Sequence, residues 1–183
     1  NDSEKFMQDR APDWSRVGVW RLNADGSDDA GFGSGGLSLQ SRPGQPPGMR
    51  HEVIAMTVSQ WMLFPSPPQQ QIVLLVRSND DYYLMRLNGA GEPLSTPNPG
   101  GWMPIPVRPG YFAHYFDVMA SALGGGLLAP GLGPPSHYTL VGLHHLELDY
   151  AWALMTQLRA SDGLPETRFG NNGSAWLGPL YNP

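Results

Sequence analysis

The chain has 183 residues, a formal net charge of −5 and no cysteine. That length suffices for one domain with a proper core, and the acid excess argues against nucleic acid, where Lys and Arg on phosphates dominate affinity. The missing cysteine excludes disulfides, thiolate chemistry and Cys-based zinc sites.

Glycine and proline are in excess, at 23 and 19 residues, while apolar content is an ordinary 40%. A disordered tail would have less apolar content. The excess goes into turns, as in an all-β chain of many short strands. No apolar run approaches the ~20 residues of a membrane span.

Asn1 to Asp13 is polar and reads as a flexible arm. Its start at Asn1-Asp2-Ser3 fits either a mature N-terminus after signal cleavage or the edge of an excised piece. Trp14 to Asn23 is the first predicted strand, and Gln40 to Arg50 is a Pro/Gly loop. His51 to Phe64 alternates loosely, as one long strand or two short ones. Gln70 to Arg77 is a continuous apolar run, which implies burial on both faces. Ser78 to Asp81 turns it into Tyr82 to Leu87, so a hairpin is expected.

The prolines between Pro93 and Pro109 forbid a central strand there. Tyr111 to Leu123 admits two readings. Phe112, Tyr115, Phe116, Met119 and Leu123 form a helical stripe, whereas the aromatic content favours strand. Gly124 to Pro135 is a Gly/Pro loop. His137 to Leu148 and Ala151 to Arg159 read as a second hairpin, and Trp176 to Pro183 ends the chain.

One segment recurs. Arg21 to Gly36 reads RLNADGSDDAGFGSGG, Arg86 to Gly101 reads RLNGAGEPLSTPNPGG, and Leu158 to Gly173 reads LRASDGLPETRFGNNG. A gapless alignment superposes Gly26, Gly91 and Gly163, then Gly36, Gly101 and Gly173. It also pairs Phe32-Gly33 with Phe169-Gly170, where the middle copy has Pro97-Asn98. Each copy follows a strand-like run, turns at Asn/Asp/Gly, passes a small-residue loop and enters a second apolar run. Such a unit cannot bury its own apolar face alone, so recurrence points to an array with units ending near 36, 101 and 173.

The first copy closely resembles the delta-60 repeat of bacterial secreted and surface proteins. The matching residues are Arg21, Leu22, Asn23, Asp25, Gly26, Ser27, Asp28 or Asp29, Phe32, Gly33 and Gly36. The third copy keeps Asp162, Gly163, Phe169, Gly170 and Gly173, and the middle copy keeps Arg86, Leu87, Asn88, Gly91 and Gly101. The resemblance implies β-propeller-like blades. With two full intervals and a leading fragment, the expectation is a single all-β domain over residues 1–183. It would be built as open blades or a small open barrel or sandwich of antiparallel strands, with a homo-oligomer completing a ring as one way to satisfy the blades. The resemblance also implies a periplasmic or secreted bacterial protein, and it implies no activity.

Candidate chemistry is thin. Asn23, Asp25, Ser27, Asp28 and Asp29 form the densest oxygen cluster, but their spacing does not fit a calcium loop, and capping of the turn explains them better. His144 and His145 are adjacent on a strand and point to opposite faces, so they do not chelate one metal without a bulge. His114, Asp117, Glu147 and Asp149 would join them only through tertiary contacts. Glu147 with Asp149 reads as a solvated edge rather than a glycosidase pair. There is no Gly-x-Ser-x-Gly elbow. The Gly31 to Gly36 stretch has no Lys after it and is not a phosphate loop. Trp20, Trp102 and Trp176 recur near unit edges, which favours packing between units over sugar stacking. No catalytic residue, metal site or cofactor is expected.

The reading is therefore a non-enzymatic exported protein that binds a protein partner, with a periplasmic inhibitor or immunity protein of a toxin as the concrete form. A carbohydrate-binding module using the tryptophans and a hydrolase with its site between blades are the alternatives. Leu127, Leu128 and Leu132, set among glycines in the Gly124–Pro135 loop, are the expected interface.

Overall fold

The computed structural model describes residues 14–61, 68–106, 112–121, 134–147 and 150–180. The expected interface residues Leu127, Leu128 and Leu132 lie outside them, as does the arm at 1–13. Among the described residues the protein is all-β, with three antiparallel sheets and none closed into a barrel.

The first sheet is a hairpin of β1 (Val17–Trp20) and β2 (Leu37–Gln40). The second runs β3 (His51–Trp61), β4 (Gln69–Ser78), β5 (Asp81–Asn88) and β6 (Trp102–Pro104) in chain order. The third repeats that meander with β7 (Phe112–Ser121), β8 (His137–Glu147), β9 (Tyr150–Arg159) and β10 (Ser174–Leu180).

The sheets stack in three layers around two cores. Val17, Val19 and Phe32 of the first unit pack on Ile72, Leu74, Val76, Met85, Leu87 and Trp102 of the second sheet. The opposite face of the second sheet, with Val73, Leu75, Leu84 and Met103, meets Tyr115, Val118, Tyr138, Leu140, Leu154 and Leu158 of the third. The unbroken apolar run of β4 thus serves both cores, as its sequence requires. Each such side chain gains ~1.5–3 kcal/mol on full burial. The β4–β5 hairpin closes through Asn79, whose φ of 54° a tight two-residue turn demands. Pro104 is accommodated because β6 pairs only with β5, at the sheet edge.

Residues 112–121 form a strand, and the structure explains their helix-like spacing. A bulge between Tyr115 and Asp117 shifts the β7 register against β8. It sends both Tyr115 and Val118 into the core, three residues apart, and leaves Phe116 and Met119 exposed.

The three recurring segments share their backbone geometry. The turn glycines Gly26, Gly91 and Gly163 have φ of 85°, 81° and 75°, a region that side-chain-bearing residues avoid. Gly33 and Gly170 both have φ of 54°, and an added Cβ would lie 2.3 and 2.2 Å from the carbonyl oxygens of Leu37 and Ser174. One detail corrects the gapless alignment. Gly26 and Gly91 donate to Asn23 and Asn88, three residues back, whereas Gly163 donates to Arg159, four back. The third turn holds one extra residue, so the slot of Arg21 and Arg86 is filled by Gln157 and not by Leu158. Arg21 donates its N–H to the carbonyl of Gly36 at 2.9 Å, and Gln157 donates to Gly173 at 2.8 Å.

The two loop phenylalanines differ in burial. Phe32 is fully buried, but Phe169 is only half-buried. Phe32 does not pack on its own loop alone. Its ring lies against the Gly91 turn of the next unit, where a Cβ on Gly91 would approach it to 2.9 Å. Phe32→Ala should therefore lower unfolding free energy by about 3–5 kcal/mol, and Phe169→Ala by less than half as much, as urea denaturation of the two variants would measure.

Candidate binding surface

Among the described residues the first sheet has two strands where the others have four. In the second sheet β5 has β4 beside it, and in the third β9 has β8, but β1 pairs with β2 alone among the described residues. Because β1 and β2 cover only part of the second sheet, β3 is left open on the side facing the first sheet. Alternation along β3, read from its pairing with β4, places Val53, Met56 and Val58 on that side, and all three are exposed. Between this strip and β1 lies a cleft of about 590 Å³, walled by Val17 and Gly18 on one side and by His51, Glu52, Val53 and Arg77 on the other.

Local contacts make the cleft rigid. The His51 N–H donates to the Trp14 carbonyl at 2.8 Å, which ties the start of β3 to the residues leading into β1. The His51 ring packs against Trp102, tilted by 40° at a centroid distance of 5.0 Å, and its Nε2 lies 2.8 Å from Gln45 Oε1. Gln45 donates in turn to the Ser15 carbonyl at 2.9 Å. Burial, with the nearby Arg42 guanidinium adding to it, pushes the His51 pKa down, which favours the neutral ring. The Gln40–Arg50 loop is thus tied to the residues beside the cleft, and its last residue, Arg50, lines it. Glu52 and Arg77 form an exposed ion pair beside it.

A second cleft, of about 640 Å³, opens between the second and third sheets and holds Gln71, Arg86, His137, Tyr138, Arg159 and Glu166. His137 Nε2 lies 3.1 Å from Glu166 Oε2, and its Nδ1 lies 3.0 Å from Ser136 Oγ. This Ser–His–Glu chain has a structural explanation in the repeat. Asp29 occupies the same place in the first unit, where its Oδ2 accepts from Arg21 Nε at 2.8 Å and its Oδ1 accepts from the Gly31 N–H. Glu166 likewise accepts from the Arg168 N–H and has the His137 ring as its side-chain partner. Each acid pins its Phe-Gly loop.

The middle unit has lost that acid, for Leu94 occupies the position. Arg86 is buried, its guanidinium donates to the carbonyls of Leu94, Thr96 and Ala160, and its Nε has no partner. Sequence reading passed over this cleft. Aligning position 94 with 29 and 166 was the signal that would have exposed the orphaned cation.

The oxygen cluster of the first turn has structural duties. Asp25 accepts from the Ser27 N–H at 2.9 Å, Asp28 accepts from Trp20 Nε1 at 2.9 Å, and Asn23 donates to Ser27 and to the Asp28 carbonyl. The Ser27 hydroxyl and N–H hold the Asp25 carboxyl below its ordinary pKa. Asp117 accepts from the Val118 N–H at the β7 bulge. The side chains of His114, His144, His145 and Glu147 lie outside the described part, as does Asp149.

The tryptophans separate. Trp102 is buried between the first and second sheets, while Trp20 and Trp176 are exposed. Packing between units therefore accounts for Trp102 alone, because Trp20 lies on the outward face of an outer layer. No helix is long and apolar enough to cross a membrane among the described residues.

Comparison with family models, curated proteins and solved structures finds no match.

Two outcomes test these assignments. Leu94→Asp should give Arg86 Nε the partner that Arg21 has, raising the thermal midpoint by roughly 2–4 °C, the equivalent of about 1 kcal/mol in a chain of this size. The Glu166 carboxyl is held below the usual range, first by the Arg168 N–H and then by His137. A depressed carboxylate stabilises the fold above its unfolded pKa and loses that contribution as pH falls through the folded one. Glu166→Gln should therefore flatten the fall of the thermal midpoint below about pH 4.

Proposed function

We propose that this chain is a non-enzymatic, exported bacterial interaction protein. It binds a protein partner by accepting an extended segment beside β1 and over the apolar strip of β3. The observation that carries this reading is the short first sheet. Among the described residues β1 has β2 as its one neighbour, and its other side borders a cleft and an exposed row of Val53, Met56 and Val58. An added strand would take main-chain hydrogen bonds from β1 and set alternate side chains on that row, which is how β-augmentation combines affinity with specificity. The row resembles an uncovered sheet core more than a solvated surface, and a contiguous exposed apolar row of this kind marks an interaction site.

The resemblance of Arg21 to Gly36 to repeats of secreted and surface proteins supports export to the periplasm or beyond. A periplasmic inhibitor or immunity protein of a toxin is the concrete form we favour. Such a role requires neither cofactor nor metal. The Gly124–Pro135 loop with Leu127, Leu128 and Leu132 remains a second contact in this proposal.

Hydrogen exchange with and without the partner recovered from the native host tests it. Binding should slow exchange at β1 by at least tenfold, and Met56→Asp with Val58→Asp should abolish binding while the thermal midpoint stays within a few degrees. Protection confined to other strands would sink the proposal.

A further inference from the structure

Two junctions join the three units, and both use the same device. At the first, the Gly91 turn of the second unit receives the Phe32 ring, its Ala90 carbonyl accepts from the Gly33 N–H at 2.8 Å, and the Gly91 carbonyl accepts from Ser38 Oγ at 2.6 Å. At the second, the Gly163 turn of the third unit receives Met103, which stands where Ser38 stands in the first unit. A Cβ on Gly163 would lie 2.6 Å from the Met103 side chain. Arg21 donates across the first junction to the Gly89 carbonyl, and Arg86 across the second to the Ala160 carbonyl.

Among the described residues, one half of this device is unmatched in the first unit and the other half in the third. The Gly26 turn has nothing among the described residues within 4 Å of where its Cβ would be. Around it, the outward face of the first sheet exposes Trp20 at 66%, Leu22 at 54% and Leu39 at 52%. The equivalent faces of the other two sheets, bearing Met85 and Trp102 or Leu154 and Leu158, are buried beneath a preceding sheet. At the far end, Phe169 is the half-buried counterpart of Phe32. The outward face of the third sheet there carries Val141, Met155 and Ala175, with Ala175 in the place of Ser38 and Met103. Charge runs in the same sense, with Asp25 on the open turn and an exposed Arg168 beside Phe169.

We infer that the two leftover halves fit each other, so that a second copy of this chain docks its Gly26 turn and Trp20–Leu39 face onto the Phe169 loop and outer face of the third sheet. The contact continues the intrachain junction between chains. It is heterologous, joining two different patches, and so builds a ring or a filament and not a two-fold dimer. It uses a surface separate from the β3 strip and stands or falls independently of the partner proposed above.

Sedimentation velocity of the purified chain across micromolar to hundred-micromolar concentration tests it. The wild type should grow in mass with concentration. Leu39→Arg, which spoils the turn side, and Met155→Glu, which spoils the loop side, should each remain monomeric with a cooperative melt. Mixed one to one, they should form a species of two chains and stop there, because each supplies the half the other has lost. If Leu39→Arg melts without cooperativity, Leu22→Glu takes its place in the mixture. A wild type that stays monomeric throughout, or a mixture that fails to pair, overturns the inference. So does association that only one of the two variants disrupts.

Discussion

The architecture depends on a steric allowance at the turn glycines. Sheets in this molecule meet where a backbone turn in left-handed conformation comes close enough to a neighbour's side chain that no Cβ fits between them. Phe32 on Gly91 and Met103 on Gly163 are two instances with different side chains. The glycine is thus the invariant half of the junction, and the residue that fills the space is negotiable. Dispersion contacts at such a point are individually weak, but they fix the spacing of the sheets and with it the packing of both cores.

Electrostatic support is built around the same points and has drifted from unit to unit. In the first unit a carboxylate and a guanidinium meet, in the third a carboxylate meets a histidine, and in the second a buried guanidinium is left with carbonyl oxygens. A cation satisfied only by dipoles carries a desolvation penalty that a carboxylate would offset. The fold tolerates this loss because carbonyls from two neighbouring segments converge on Arg86.

Much of the fold was legible because its signals are local. The β4 run of Ile72 to Val76 declares burial on both faces, and the Gly/Asn/Asp turns declare where strands end. What stayed hidden depended on counts that shift by one. The β7 bulge imitates helical spacing at Tyr115 and Val118, and the extra residue in the third turn moves the slot of Arg21 from Leu158 to Gln157. The candidate surface was less legible still. It arises where, among the described residues, the first sheet has two strands against four in each of the others, and Val53, Met56 and Val58 of β3 are exposed beside it.

That extra residue also constrains how the units can exchange sequence. Along β9, Leu154, Thr156 and Leu158 point inward and are buried, while Met155 and Gln157 point out. In a strand, one residue of slippage turns every side chain to the opposite face. Swapping the shorter turn of the first unit into the third would therefore either tear the turn from its partners or invert β9, offering a threonine-flanked core face to water and a glutamine to the interior. The copies look alike on paper, yet a crossover between the first and third at this turn would yield a misfolded product. The two have become separate parts, each free to change only in company with the strand it terminates.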